Sequence, residues 1–134
     1  MNFVSATGVN HVAKWYRKKL SLQEQSNLDT LLDILAKQKT WTFPEYLALS
    51  GAKYKGLAEI RLKGDQRIQM RLIGFQGPNA GQFTFLIGCF HKGSIYDPPS
   101  CFDTAVSRKR DLDNGNGSIC EHDNDEYDDE AEEG

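Results

Sequence analysis

The sequence predicts one α+β domain: an N-terminal helical hairpin packed on a small twisted antiparallel sheet, a C-terminal helix, and a disordered acidic tail. Three observations lead there. Apolar residues recur at helical spacing in the first third of the chain, alternate at strand spacing through the middle, and almost vanish beyond residue 112. With 134 residues the chain has material for one modest core.

The elements follow in order. "NFVSAT" is a possible first strand, closed off by Gly8 and Asn10. "HVAKWYRKKL" places Val12, Trp15, Tyr16 and Leu20 at helical spacing, with Asn10 as its N-cap. "SLQEQSNLDTLLDILAKQKT" is the clearest helix: Leu28, Leu31, Leu32 and Leu35 form one stripe, and Ser21 with Glu24 fits a capping box. "WTFPEYLALSGAK" reads as a connector broken by Pro44 and Gly51, with a short helical turn at "EYLAL". "GLAEIRLKG", "RIQMRLIGF" and "QFTFLIGCFH" then predict three strands joined by the short loops "GD" and "GPNAG", as antiparallel hairpins require. Pro98 and Pro99 are expected to stop the third strand and to open the helix "PSCFDTAVSRKRDL". Residues 113–134 hold only Ile119 and Tyr127 as larger apolar groups, too few to offset their ordering entropy, so a disordered tail follows a domain of residues 1–112.

Charge is segregated along the chain. Residues 1–112 carry 16 Lys and Arg against 9 Asp and Glu, whereas residues 113–134 carry 10 acidic groups and no basic one. A basic body suits a phosphate-rich partner, because Lys and Arg supply the sequence-independent part of nucleic-acid affinity. The longest apolar runs fall far short of a membrane span, and "MNFVSATGVN" lacks the order of a secretory signal, so no membrane partner and a cytoplasmic location are expected. Cys89, Cys101 and Cys120 show no close CxxC spacing, which suggests neither a disulfide framework nor a zinc site; no metal or cofactor is expected.

The series "YKGLAEIRLKG", "IQMRLIGF" and "FTFLIGCFHKG", followed by a basic C-terminal helix, resembles the RelE/ParE superfamily of toxins, and most closely its HigB-like, phage-derived branch. The resemblance covers roughly residues 1–112. It implies the RelE-like fold and a toxin that pairs with a cognate antitoxin protein. On the RelE and HigB side it implies a ribosome-dependent ribonuclease that cuts mRNA; on the ParE side, a non-enzymatic inhibitor of DNA gyrase. A prophage-derived binding protein with a degenerate site is a third possibility.

Metal-independent RNA cleavage requires a proton to leave the 2′-OH, charge on the phosphorane to be stabilised, and the leaving 5′-oxygen to be protonated. Arg61 and Lys63 lie two apart on one strand and project to one face, with Arg71 on the neighbouring strand. The resemblance gives Arg61 and Arg71 the role of phosphate binding and charge stabilisation, which guanidinium forks suit. His91, Lys92 and Tyr96 stand at the corner where the family places basic residues of the site: His91 for proton transfer, Tyr96 as proton donor or stacking platform. Gly93 replaces a cation that HigB-like chains carry there. Lys53, Lys55 and Lys63 are candidate RNA-backbone contacts, as are Lys14, Arg17, Lys18 and Lys19 on the first helix and the "SRKR" run at 107–110. Each has a structural alternative. The arginines fit equally a solvated strand face paired with Glu59 or Asp65, Tyr96 a ring packed over a helix start, and the lysines an amphipathic helix face. The acidic tail is either a solubilising extension or a phosphate mimic that contacts the basic body.

Overall fold

The computed structural model describes residues 1–38, 41, 45–63, 68–79 and 82–122. Within them three helices accompany one mostly antiparallel, mixed sheet of seven strands. The order along the chain is β1 (Asn2–Ser5), α1 (His11–Lys19), α2 (Leu22–Ala36), β2 (Tyr46–Ala48), a 3-10 turn (Ala52–Tyr54), β3 (Leu57–Lys63), β4 (Gln69–Gln76), β5 (Phe83–Lys92), β6 (Ile95–Asp97), α3 (Cys101–Asp113) and β7 (Gly117–Cys120). The sheet runs β2-β3-β4-β5-β1-β7, with β6 on the far half of β5. All pairings are antiparallel except β1 with β5.

The helix signals act as their chemistry requires. Asn10 Oδ1 accepts from the Ala13 N–H at 3.0 Å and so caps α1. At α2, Ser21 Oγ accepts from the Glu24 N–H at 3.1 Å and Glu24 Oε1 accepts from the Ser21 N–H at 2.9 Å, a complete capping box. Leu28 and Leu35 are buried in α2, with Leu31 and Leu32 packed beside them.

Strand alternation divides the core in two. Ala58 and Ile60 of β3, Met70 and Leu72 of β4, and Phe83 and Phe85 of β5 pack under α1 and α2. Leu57, Ile73, Phe75, Ile87 and Cys89 pack on the opposite face under Cys101 and Ala105 of α3. Between them, Ile73 pairs with Ile87 and Gly74 with Phe85, so Leu86 is an extra residue that bends β5. Gly88 admits the indole of Trp15: a Cβ there would lie 2.2 Å from the ring. Helix α1 therefore sits directly on β5, and the sheet, rather than a helical hairpin, organises the fold.

Several expectations are corrected. "EYLAL" is not a helical turn; Tyr46–Ala48 pairs antiparallel with Ala58–Ile60, because the exposed edge of β3 offers backbone partners. The third strand does not end at the prolines. It ends at Lys92, turns through Gly93 at φ +62°, and returns as β6, so "HKGSIYD" is a hairpin. The sheet is mixed rather than wholly antiparallel, because β1 enters beside β5 in parallel. The expected boundary at residue 113 also moves. Gly117–Cys120 forms an edge strand on β1, held by a backbone ladder that needs little apolar surface, and Cys120 is buried. Residues 123–134, with Tyr127, lie outside the described residues, as do Pro44, Asp65 and Arg67.

Candidate functional site

The register of β3 and β4 decides which cations meet. Arg61 is the direct cross-strand partner of Arg71, so both project to the α3 face. Two like charges placed side by side need a counter-ion, and Glu59, two residues before Arg61 on the same face, supplies it. Its Oε1 lies 3.3 Å from Arg61 Nε and 3.7 Å from Arg71 Nε. Glu59 and Arg71 are each only 2% exposed, so this is a buried pair with a half-buried third member.

Three further residues complete the cluster. Arg71 Nη2 donates to Gln69 Oε1 and lies 3.4 Å from His91 Nδ1, while Nη1 donates to the Met70 carbonyl at 3.3 Å. His91 stands opposite both Gln69 and Tyr96 in the ladders. The His91 and Tyr96 rings stack with centroids 4.3 Å apart and planes 18° apart, and the Tyr96 hydroxyl donates to Glu59 Oε2 at 3.4 Å. A row of rings continues from there: Tyr96 meets Phe102 at 4.7 Å, and Phe102 meets Tyr54 at 5.6 Å.

The electrostatics follow from these neighbours. Burial, and then the positive charges of Arg71 and Arg61, push the His91 imidazolium below the ordinary histidine range, partly opposed by Glu59. The ring is therefore neutral near pH 7. With a guanidinium N–H facing Nδ1, the network assigns the ring proton to Nε2. Burial and the Glu59 carboxylate push the Tyr96 phenol upward, with Arg71 acting against them, so its hydroxyl stays protonated.

Of the residues singled out in the sequence, Arg61, Arg71, His91 and Tyr96 come together. Arg71 does so in an altered position: its guanidinium is sealed behind Glu59 and Gln69, so it is placed to hold the cluster and not to meet a phosphate. Arg61, with a quarter of its side chain exposed, is the guanidinium at the surface. Lys92 does not join them. Alternation turns it to the other face, into a groove of about 1060 Å³ with Lys19, Ile68, Phe90 and Ile95. Lys63 is exposed at the end of β3, two residues beyond Arg61 on the same face. Lys53 is exposed and ion-paired with Asp103 at 2.6 Å, and Lys55 is exposed beyond it; both flank Tyr54 at the end of the row of rings.

Glu59, which the sequence offers only as an ion partner on a solvated strand face, emerges as the buried centre of the cluster, and Gln69, Phe102 and Tyr54 emerge only from the structure. The spacing of Glu59 and Arg61 in "AEIRLKG" carried the signal for the first, since a carboxylate and an arginine two apart share a strand face. Phe102 had none, because its place depends on how α3 docks. No protein-family model matches the chain, and no curated protein or solved structure matches it either.

Proposed function

We propose that the protein is the toxin of a toxin-antitoxin pair, of the RelE/ParE kind and nearest its HigB-like branch, acting as a metal-independent endoribonuclease on mRNA at the ribosome. One observation carries this reading: Arg61, His91 and Tyr96 converge around Glu59 on a single, partly open face of the sheet. Arg61 is placed to take a phosphate oxygen and to stabilise the charge that develops there. His91, neutral and at the surface end of the cluster, is the proton-transfer group for the 2′-OH. Tyr96, protonated, is the donor toward a leaving oxygen. Arg71 and Glu59 hold these three in register and touch no substrate.

The row Tyr54, Phe102, Tyr96 and His91, edged by Lys53, Lys55, Arg61 and Lys63, supports a single-stranded substrate. Rings accept stacked bases of any sequence while cations follow the backbone. A cognate antitoxin would cover this same face.

The second reading is a binding protein without catalysis, whether a gyrase inhibitor or a degenerate relative. It is favoured by the burial of Arg71 and the turning away of Lys92, which leave one surface guanidinium at the corner. Induced expression with mapping of mRNA 5′ ends separates the readings. The ribonuclease reading predicts new ends that disappear with Arg61→Ala and Tyr96→Phe; growth arrest without new ends would remove it.

A further inference from the structure

The groove that receives Lys92 has no part in the candidate site. It lies on the face of the sheet that carries α1, where Ile68, Phe90, Ile95 and Pro99 supply apolar lining and the exposed Lys19 and Lys92 supply positive charge. Ile95 is 69% exposed there, so the groove presents apolar surface that no element of the fold covers among the described residues. Its own carboxylates are Asp97 and Glu24, and Glu24 is already bonded to the Ser21 N–H in the α2 capping box.

The chain itself arrives close by. After β7, His122 folds onto α1: its ring meets Tyr16 edge-on with centroids 5.1 Å apart, meets Phe85 at 5.5 Å, and holds Nδ1 3.3 Å from Asn2 Oδ1. Tyr16 and Lys19 are three residues apart on α1, neighbours along one side of the helix and about 4.5 Å apart along its axis. Residues 123–134 continue from His122 with eight Asp and Glu, no Lys or Arg, and Tyr127 as their one aromatic group. The last turn of α1 offers the opposite charge, since Arg17, Lys18 and Lys19 follow one another there and the helix holds no Asp or Glu. Four extended residues span about 13 Å, enough to carry residue 127 past Lys19 to the groove.

We propose that residues 123–134 are the occupant of this groove, with the Tyr127 ring seated on Phe90 and Ile95 and the carboxylates around it paired with Lys18, Lys19 and Lys92. A tyrosine suits the seat because it buries an apolar ring and keeps its hydroxyl at the wet edge. Each ion pair is weak, but a short tether holds the tail at an effective concentration on the order of millimolar, so weak contacts suffice. The seat lies on the face of the sheet opposite Arg61 and Lys63. The tail therefore covers Ile95 and leaves those cations open, which is the reverse of a phosphate mimic at the candidate site. Tyr96 also lines the groove, so the docked tail backs the β5–β6 hairpin that carries His91 and Tyr96. None of this depends on the ribonuclease reading.

The test places a nitroxide on the full chain. Ala131→Cys adds one thiol for the label, while Cys89, Cys101 and Cys120 are buried. Broadening of backbone amide NMR signals is expected to be strongest at Lys18, Lys19, Gly93 and Ile95, with Arg61 and Lys63 much less affected. It should fall when Tyr127→Ala, or Lys19→Glu together with Lys92→Glu, is added. It should also fall when NaCl is raised from about 0.1 M to about 1 M, which shortens the screening length from about 10 Å to about 3 Å. Broadening centred on Arg61 and Lys63 would overturn the proposal in favour of a phosphate mimic, and broadening that is absent or evenly spread would overturn it in favour of a solubilising extension. Isotope-labelled chains without nitroxide, mixed with unlabelled chains that carry it, give the last control. The same broadening in that mixture would put a second copy's tail in the groove and overturn the intramolecular seat.

Discussion

Replacing Glu59 by Leu removes the carboxylate that stands between two guanidiniums and leaves the shape of the strand face nearly unchanged. Arg71, 2% exposed, then keeps a charge it cannot lose, because guanidinium stays protonated throughout the accessible pH range. Gln69 and the Met70 carbonyl still accept from it, but the carboxylate that pairs with it is gone. Breaking a buried pair from one side costs about 3–5 kcal/mol. For a domain of this size that is a fall of roughly 10–20 °C in Tm. The reciprocal change, Arg71→Met, is milder: Glu59 retains Arg61 at 3.3 Å and the Tyr96 hydroxyl at 3.4 Å, and the outlay falls to about 1–2 kcal/mol. Glu59→Leu combined with Arg71→Met removes both buried charges and should recover most of the loss. Urea denaturation of the three variants reads the order directly. A Glu59→Leu variant no less stable than Arg71→Met would refute the view that Glu59 neutralises the cluster.

Three smaller predictions accompany it. Gly88→Ala drives a methyl into the Trp15 ring and should cost about 1–3 kcal/mol in urea denaturation; a neutral result would mean that α1 does not rest on β5 as described. The folded-state pKa of His91 lies below its unfolded value, so the neutral ring's contribution is intact above about pH 6.5 and is lost as pH falls through the folded value. Wild type should therefore lose more stability than His91→Gln between about pH 7.5 and 5, and parallel losses would argue against the assigned surroundings. Lys53→Ala removes an exposed ion pair with Asp103 and should leave the urea midpoint nearly unchanged, while weakening RNA binding more at low salt than at high.

Local signals in the sequence carried much of the fold. Caps are short-range chemistry, so Asn10, Ser21 and Glu24 could be read before any tertiary contact was known. Alternation in "AEIRLKG" and "MRLIGF" likewise placed Arg61 and Lys63 on one strand face, and Arg71 on the neighbouring strand. What alternation does not contain is register. That Arg61 lies opposite Arg71, and that both need Glu59, follows from a pairing set by the whole hairpin. Lys92 shows the same limit: adjacent to His91 in sequence, it faces the other side of the sheet. Strands β2 and β7 were missed because each is too short, three and four residues, to show an alternation of its own, and each exists by completing the ladder of a neighbour. Burial of Arg71 could not be seen either, since an arginine in an apolar strand reads identically whether it meets solvent or a carboxylate.

The central claim, that the Arg61, His91 and Tyr96 face performs metal-independent cleavage of RNA, is tested most directly with purified protein, programmed ribosomes and analysis of the new RNA termini. Attack by the 2′-OH leaves 5′-hydroxyl ends. The account predicts such ends with wild type and with Lys92→Ala, and their loss with Arg61→Ala and His91→Ala. Equal cleavage by wild type and Arg61→Ala, or new ends bearing 5′-phosphate, would contradict it.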